Sequence, residues 1–441
     1  MAKAAVAIGG TCKGCYAPFE LTMWGSLGVG DYPFWRCARW LGMGIRTADG
    51  RVRIQLAAER AAAEEERMTM YRLNSRALGI ALGGAAVGGL VLAGTAGASA
   101  ATLSGGGSVH GWVYTSTNSA AGNQVEAFAR NGDGTLTLAG TYNTGGTGTV
   151  ANYGQGAVTL SPDHQTLLVV DAGSSQVSDF AVLPNGALRL RNVVASGGTT
   201  PTSVAIRGGL AEVLNSGGTA NVAGFFATPA GLVAIPGGSQ PLSAGASSPE
   251  DVAISPGDTH VVVTEKVSDT IDTFAVRIGG VLGPAVTSLS DSPLAFSEVF
   301  TPSGQLLVAD DGANDTSAVS AYRIAPNGAL NATQAAVSDG QTAACWIAEG
   351  RDGEVFVDNA GSGTISSYHV SLTGQVTFVG NTSAGTGAAP LDNAVSSDGQ
   401  NVYAVIGNQN HLAEFSIGPD AQLTLVGTQA LPAGSEGVAA S

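Results

Sequence analysis

Apolar and polar residues alternate with a period of two in seven separate segments. They are QVEAFAR (124–130), QVSDFAV (176–182), NVAGFFA (221–227), TIDTFAV (270–276), AVSAYRI (318–324), TISSYHV (364–370) and HLAEFSI (411–417). Alternation at that period turns one face of an extended chain to a core and the other outward, so each segment predicts a half-buried strand. Their aromatics, Phe128, Phe180, Phe225, Phe274, Tyr322, Tyr368 and Phe415, lie 52, 45, 49, 48, 46 and 47 residues apart. Six residues after each aromatic comes a turn position: Gly134, Gly186, Gly231, Gly280, Gly328, Gly374 and, once, Ala421. Several of these close Pro-Asn-Gly or Gly-Asp-Gly turns, where a positive φ is wanted between hairpin strands.

A second turn recurs earlier in each unit: Ser-Pro-Asp-His (161–164), Ser-Pro-Gly-Asp (255–258), Thr-Pro-Ser-Gly (301–304), Arg-Asp-Gly (351–353) and Ser-Asp-Gly (397–399). A short apolar strand precedes each turn (AVTL, DVAI, SEVF, WIAE, DNAV) and another follows it (TLLVV, HVVVT, QLLVA, EVFV, NVYAV). Four short antiparallel strands per unit of about 48 residues, repeated seven times, predict an all-β fold: a seven-bladed β-propeller. The first unit is incomplete, because it begins at its second strand, 112–118. The tail Gly434-Ser-Glu-Gly-Val-Ala-Ala-Ser441 reads as a lone first strand. It is expected to pair into the first blade and close the ring, removing the edges an open array would expose.

Composition divides the chain. Residues 1–100 carry 11 Lys/Arg and 7 Asp/Glu, whereas 101–441 carry 8 basic and 27 acidic residues. The overall charge of −15 therefore understates the propeller, which stands at −19. A nucleic-acid binder would need a basic face, and this excludes one. At the division, Met70-Tyr-Arg-Leu-Asn-Ser-Arg76 is a short basic stretch, followed from Ala77 by an uncharged Ala/Gly/Leu/Val run that ends at Ala98-Ser-Ala100. That order is the n-region, h-region and A-x-A site of a secretory signal, and an uncleaved anchor is the alternative. The expected organisation is thus a leader at 1–69, a signal peptide at 70–100, a Gly/Ser linker at 101–108 and the propeller at 109–441. The expected product is a secreted, extracellular bacterial monomer with no membrane insertion after cleavage. The leader reads as upstream translation or, alternatively, a cytoplasmic domain, and its Cys12-x-x-Cys15 lacks the second pair a metal site needs. Cys345 is the one cysteine left in the propeller. It reads as a buried apolar residue.

In a propeller the innermost strands line a central channel. The loops leading into them, with the ends of the second strands, form one mouth. The second-strand ends here include Asp171, Asn215, Glu265, Asp310 and Asn359. The loops add Glu250, Asp251, Asp392 and Glu436, with Lys266 the one base nearby. Convergent carboxylates raise one another's pKa and serve as general acid or base, or hold a hard cation. Catalytic roles are therefore expected of Glu265, Glu250 and Asp171, and ligand contacts of Asp310, Asn215, Asn359, Asp392 and Lys266. No metal ligand set is assigned and no cofactor is required, although calcium or another divalent cation would suit such a mouth. A plain solvated rim is the competing reading, since strand ends are polar anyway.

The segments GQGAVTLSPDHQTLLVVDAGSSQVSDFAV (154–182) and SSPEDVAISPGDTHVVVTEKVSDTIDTFAV (247–276) resemble blades of the lactonase family of seven-bladed propellers. That family includes enzymes similar to 6-phosphogluconolactonase and to carboxymuconate cyclase. The resemblance runs over roughly 109–441, and with the run QTAACWIA (341–348) it is nearest to secreted bacterial members. It implies a small-molecule ligand and lactone chemistry. Where the cyclase-like members carry a His before the first strand of an early blade, this chain has Tyr153-Gly-Gln-Gly156. Where they carry an Arg in a later blade, it has Glu250; the acid at that blade's second-strand end is kept as Glu265. Loss of the imidazole and guanidinium removes a proton donor and an anion clamp. The expected function is therefore hydrolysis or cyclisation of a neutral lactone with Glu265 as general base. The alternative is a non-catalytic extracellular scaffold whose acidic mouth binds a cation or other ligand.

Overall fold

The computed structural model describes residues 108–149, 154–243, 248–312 and 316–441, together with the backbones of three short strands at Gly44–Ala48, Arg51–Gln55 and Ser99–Ala100. The chain divides into two compact units, Met1–Gly94 and Thr95–Ser441. In the first, Gly44–Ala48 and Arg51–Gln55 form an antiparallel hairpin. The leader's cysteines, the basic stretch and apolar run of the signal, and most of the linker lie outside the described residues.

The second unit is a seven-bladed β-propeller of antiparallel blades. Blade 2 is representative: Val158–Leu160, Thr166–Asp171, Gln176–Val182 and Leu188–Ala195 pair in chain order from the channel outward. The inner strands of blades 3 to 7 are Thr199–Arg207, Pro249–Ile254, Ala295–Phe300, Ala344–Glu349 and Pro390–Val395. Blade 1 takes its inner strand from the C-terminus: Glu436–Ala440 pairs antiparallel with Gly111–Ser116, as the lone-strand pattern of the tail predicts. Ser99–Ala100 adds a short fifth strand to the outer edge of that blade. Among the described residues no helix is long and apolar enough to cross a membrane.

The repeat sets the core. The seven periodic aromatics are each at most 2% exposed. They stand between blades: Tyr368 of blade 6, for instance, packs with Leu307, Ala309 and Val319 of blade 5 and Val357 of its own blade. The turn six residues later takes a positive φ in every unit, from 72° at Gly186 to 124° at Gly231, and Ala421 accepts 56° despite its Cβ.

The carbonyls of these turns join the blades. Tyr114 of blade 1 donates to Gly186 O of blade 2 at 3.0 Å, and Gln305 of blade 5 to Gly374 O of blade 6 at 2.8 Å. Ser367 of blade 6 donates to Ala421 O of blade 7 at 2.7 Å, and Tyr403 of blade 7 to Gly134 O of blade 1 at 2.9 Å. Thr273 of blade 4 donates to Gly328 O of blade 5 in the same way. Tyr, Thr, Gln and Ser thus do one job, satisfying a turn carbonyl that docking would otherwise strand.

Candidate functional site

The second-strand ends are inside the protein. Asp171, Asn215, Glu265, Asp310 and Asn359 are all fully buried. Asp171 Oδ1 accepts from Asn123 Nδ2 at 2.9 Å and Thr144 Oγ1 at 2.7 Å, and its Oδ2 accepts from Ser178 Oγ at 2.6 Å. Asp310 accepts from Ser290 Oγ at 3.1 Å and from Ser320 Oγ. Asn359 Nδ2 donates to Ser366 Oγ at 2.9 Å, and Asn215 Nδ2 to Ser196 O at 3.1 Å. These side chains tie each second strand to the next strand or to the neighbouring blade. Burial pushes the carboxyls of Asp171 and Asp310 above the usual range, with the hydroxyl donors pulling the other way. Glu265, paired in register with Pro249, is held near Ser268, whose hydroxyl lies 3.5 Å from Oε2.

Glu250 and Lys266 are the predicted residues that reach solvent, on blade 4 at the mouth. Pro249 and Asp251 flank a break in the strand register, so Glu250 is turned out of the ladder, and its Oε1 accepts from Ser248 Oγ at 2.7 Å. Lys266 Nζ lies 3.3 Å from Asp311 Oδ2 and 4.7 Å from the centre of the Phe296 ring, a cation–π arrangement. The Lys266 side chain is 25% exposed and that of Asp311 14%. Phe296 packs against Trp346 with ring centres 5.0 Å apart, and Cys345, Leu391, Ala343 and Ala360 complete an apolar shelf. Burial raises the Glu250 carboxyl, opposed by the Ser248 hydroxyl and the Lys266 charge. Burial also lifts the Cys345 thiol far above its ordinary value, with Lys266 pulling it down and Asp311, Glu250 and Asp358 pushing further up. Cys345 is an inert packing residue at physiological pH.

A second group of acids lies deeper. Asp251 Oδ1 accepts from Ser203 Oγ of blade 3 and from its own neighbour Val252 N, both at 2.8 Å, and Oδ2 accepts from Glu298 N of blade 5 at 3.1 Å. One carboxylate therefore fastens three blades at the channel. Asp392, held at φ 86°, repeats the device by accepting from Val438 N at 3.2 Å. Burial pushes Asp251 up to about 7. It pushes Glu298 well above the usual carboxyl range, and the Asp251 charge adds to this. Gln155, in the stretch 153–156 that stands where the resembling enzymes carry a histidine, reaches across the channel: its Oε1 accepts from Ile347 N at 2.7 Å and its Nε2 donates to Glu298 O at 3.4 Å. Among the described residues no three His, Cys, Asp or Glu side chains converge to hold a metal ion.

Glu298, Glu349 and Asp311 were not singled out from the sequence. Glu298 and Glu349 sit in the inner-strand segments SEVF and WIAE, where a charge inside an otherwise apolar strand is the signal available. Asp311 follows Asp310 at a strand end, and nothing local separates the member that turns inward from the one that turns to Lys266.

Residues 114–215 match the family described as Lactonase, 7-bladed beta-propeller. The resemblance read from the blade segments is borne out by that match and by the seven blades. Solved structures of similar fold include a functionally unknown protein from Desulfotomaculum acetoxidans, at 16% identity and a TM-score of 0.61, covering 75% of this chain and 98% of that one. A candidate 6-phosphogluconolactonase from Bacteroides fragilis is 18% identical with a TM-score of 0.58, over 75% of this chain and 98% of its own. The periplasmic gluconolactonase of Pseudomonas aeruginosa is 17% identical with a TM-score of 0.58, over the same shares. At these identities the likeness is one of fold. No curated protein matches the chain.

Proposed function

We propose that this propeller is an exported lactone hydrolase acting on uncharged lactones at the mouth between blades 4 and 6. The observation that carries the proposal is the fixed Lys266 ammonium, 3.3 Å from Asp311 and 4.7 Å above Phe296, beside the partly exposed Glu250. A lactone ring has an apolar face for the Phe296–Trp346 shelf and a carbonyl oxygen for Lys266. In hydrolysis, water adds to that carbonyl carbon while Glu250 takes its proton. Lys266 faces the oxyanion that forms. The ring C–O bond then breaks, and Glu250 returns the proton to the departing alkoxide. A carboxyl raised by burial suits both steps, because its proton affinity is closer to that of its surroundings.

Glu265, the base expected from the sequence, is enclosed at the strand end, so its part in this scheme is to shape the bend that presents Glu250 and Lys266. An acidic surface and Glu250 itself disfavour carboxylated or phosphorylated lactones. Export is supported by the signal-like order of residues 70–100.

The test is turnover on a panel of uncharged γ- and δ-lactones beside an anionic lactone. Glu250→Gln is expected to lower kcat/KM by roughly 10²- to 10⁴-fold, the usual range for a positioned acid or base. Lys266→Met is expected to lower kcat more than it raises KM. A panel with no turnover, or full activity in Glu250→Gln, would end the proposal.

A further inference from the structure

A cavity of about 370 Å³ runs from Gln155 along the inner strands of blades 3 to 5 to the turns at Pro256 and Pro302. Its wall mixes polar and apolar surface, the apolar part including Ile206 of blade 3, Ile254 and Pro256 of blade 4, and Phe300 and Pro302 of blade 5. Its polar side chains include three acids, Asp251, Glu298 and Glu349, beside Gln155 and Thr159. Glu298 is 2% exposed; the Thr264 hydroxyl lies near its carboxyl, but neither oxygen has a well-formed hydrogen bond. A buried carboxyl so poorly satisfied is costly to the fold, and a ligand that brings hydrogen-bond donors to it relieves that cost. Asp251, by contrast, is fully engaged by Ser203 and two backbone N–H groups. Arg207 also borders the cavity, but Asp258 Oδ1 lies 3.3 Å from its Nε and offsets its charge.

We propose that this cavity is a second binding site, distinct from the mouth, for small organic monoammonium ions, with the ammonium at Glu298 and an apolar tail along Ile206, Ile254 and Phe300. An ammonium supplies the missing N–H donors and the compensating charge together. The volume admits a short aliphatic or arylalkyl tail, and a net charge of −19 on the propeller draws cations towards it. Three carboxyls alone would not distinguish a ligand site from a solvated acidic patch. The enclosed, poorly satisfied Glu298 and the apolar side chains of Ile206, Ile254 and Phe300 beside it make that distinction.

Binding also moves a proton. Burial and the nearby Asp251 charge raise the Glu298 carboxyl, opposed by the Thr264 hydroxyl, whereas an arriving ammonium favours its ionised form, so binding shifts the group towards giving up a proton to solvent. The charged groups facing Glu298 in the cavity are Asp251, Glu349 and Arg207.

The experiment is calorimetric titration of the full chain with butylammonium chloride at neutral pH, with 1-butanol and sodium butyrate as matched probes, in two buffers of different ionisation heat. Saturable binding of butylammonium, absence of binding by the other two, and net proton release are expected. Glu298→Gln is expected to weaken binding at least about tenfold and to abolish the proton release. Glu349→Gln, at the less enclosed edge, is expected to weaken it less, and it serves if Glu298→Gln does not fold. Asp420→Asn removes an exposed charge elsewhere and is expected to change nothing. No saturable binding, equal binding of 1-butanol, or affinity unaltered by both cavity variants would each overturn the proposal. None of these outcomes depends on lactone turnover, so the two sites are judged separately.

Discussion

Gln155 Oε1 accepts a hydrogen bond from the backbone N–H of Ile347 at 2.7 Å, joining blade 2 to blade 6 across the central channel. The two blades are not neighbours in the ring, so this side chain braces the propeller across its width. Replacing Gln155 by Ala leaves the Ile347 N–H without that partner. A loss of about 1–3 kcal/mol is expected, the usual cost of orphaning a buried donor. Urea unfolding midpoints of the two proteins measure it, and an unchanged midpoint would mean that the brace carries no load.

Acidification should stabilise this fold before it harms it. Burial pushes Asp251, Asp358, Glu349 and Glu414 up to about 7 from ordinary values of 3.8 or 4.5. Between those values the folded chain binds more protons than the unfolded one. Stability is therefore fully present below the unfolded pKa and is lost as pH rises through the folded one. Melting temperature is expected to rise from about pH 8 to about pH 5, by a stability increment on the order of 1 kcal/mol per pH unit. Below that range the trend reverses, because carboxylates such as Asp163, held low by the Ser161 hydroxyl, lose their bonds as pH falls through their depressed values. A melting temperature that climbs steadily from pH 5 to 8 would contradict this account of the buried acids.

The seam between blades 7 and 1 has an ionic lock. Arg130 is 2% exposed and its Nη2 lies 2.8 Å from Asp398 Oδ2, with His110 O at 2.7 Å. Asp398→Asn leaves the guanidinium buried without its counter-charge, for an expected loss of about 3 kcal/mol. Adding Arg130→Met to Asp398→Asn should recover much of it, since the stranded charge is gone. Denaturant unfolding of the two single variants and the double variant reads this directly. A purely additive double variant would show that the pair is not coupled.

Removing residues 432–441 takes away the inner strand of blade 1 and bares one edge of Gly111–Ser116. It also removes Ser441, whose Oγ accepts from Trp112 N at 2.9 Å. The truncated chain is expected to lose its cooperative thermal transition and to associate through the open edge. A monomer melting at the full-length temperature would show that closure contributes nothing.

Much of this architecture is legible along the chain because it is local. Period-two alternation, the aromatic spaced 45 to 52 residues from its counterpart and the turn six residues later each depend on neighbours a few positions away. Even Ala421 holds the turn geometry that its place in the repeat demands. The missing first strand and the spare C-terminal one could be matched by counting, and the structure pairs them.

Polar side chains were another matter. Asp310 and Asp311 are adjacent, yet one is enclosed by Ser290 and Ser320 and the other faces Lys266. Asp171 and Glu250 both stood as acids at the mouth, and one ties blade 1 to blade 2 while the other turns outward at a register break. Nothing within a blade records which neighbouring blade supplies a hydroxyl, nor that Gln155 will meet Ile347 nearly two hundred residues away. Strand periodicity and turns, set by local backbone sterics and patterning, were decided by the sequence alone. Which carboxyls are spent on joining blades, and which are left facing a cavity, was decided only when the ring closed and brought distant donors within hydrogen-bond reach.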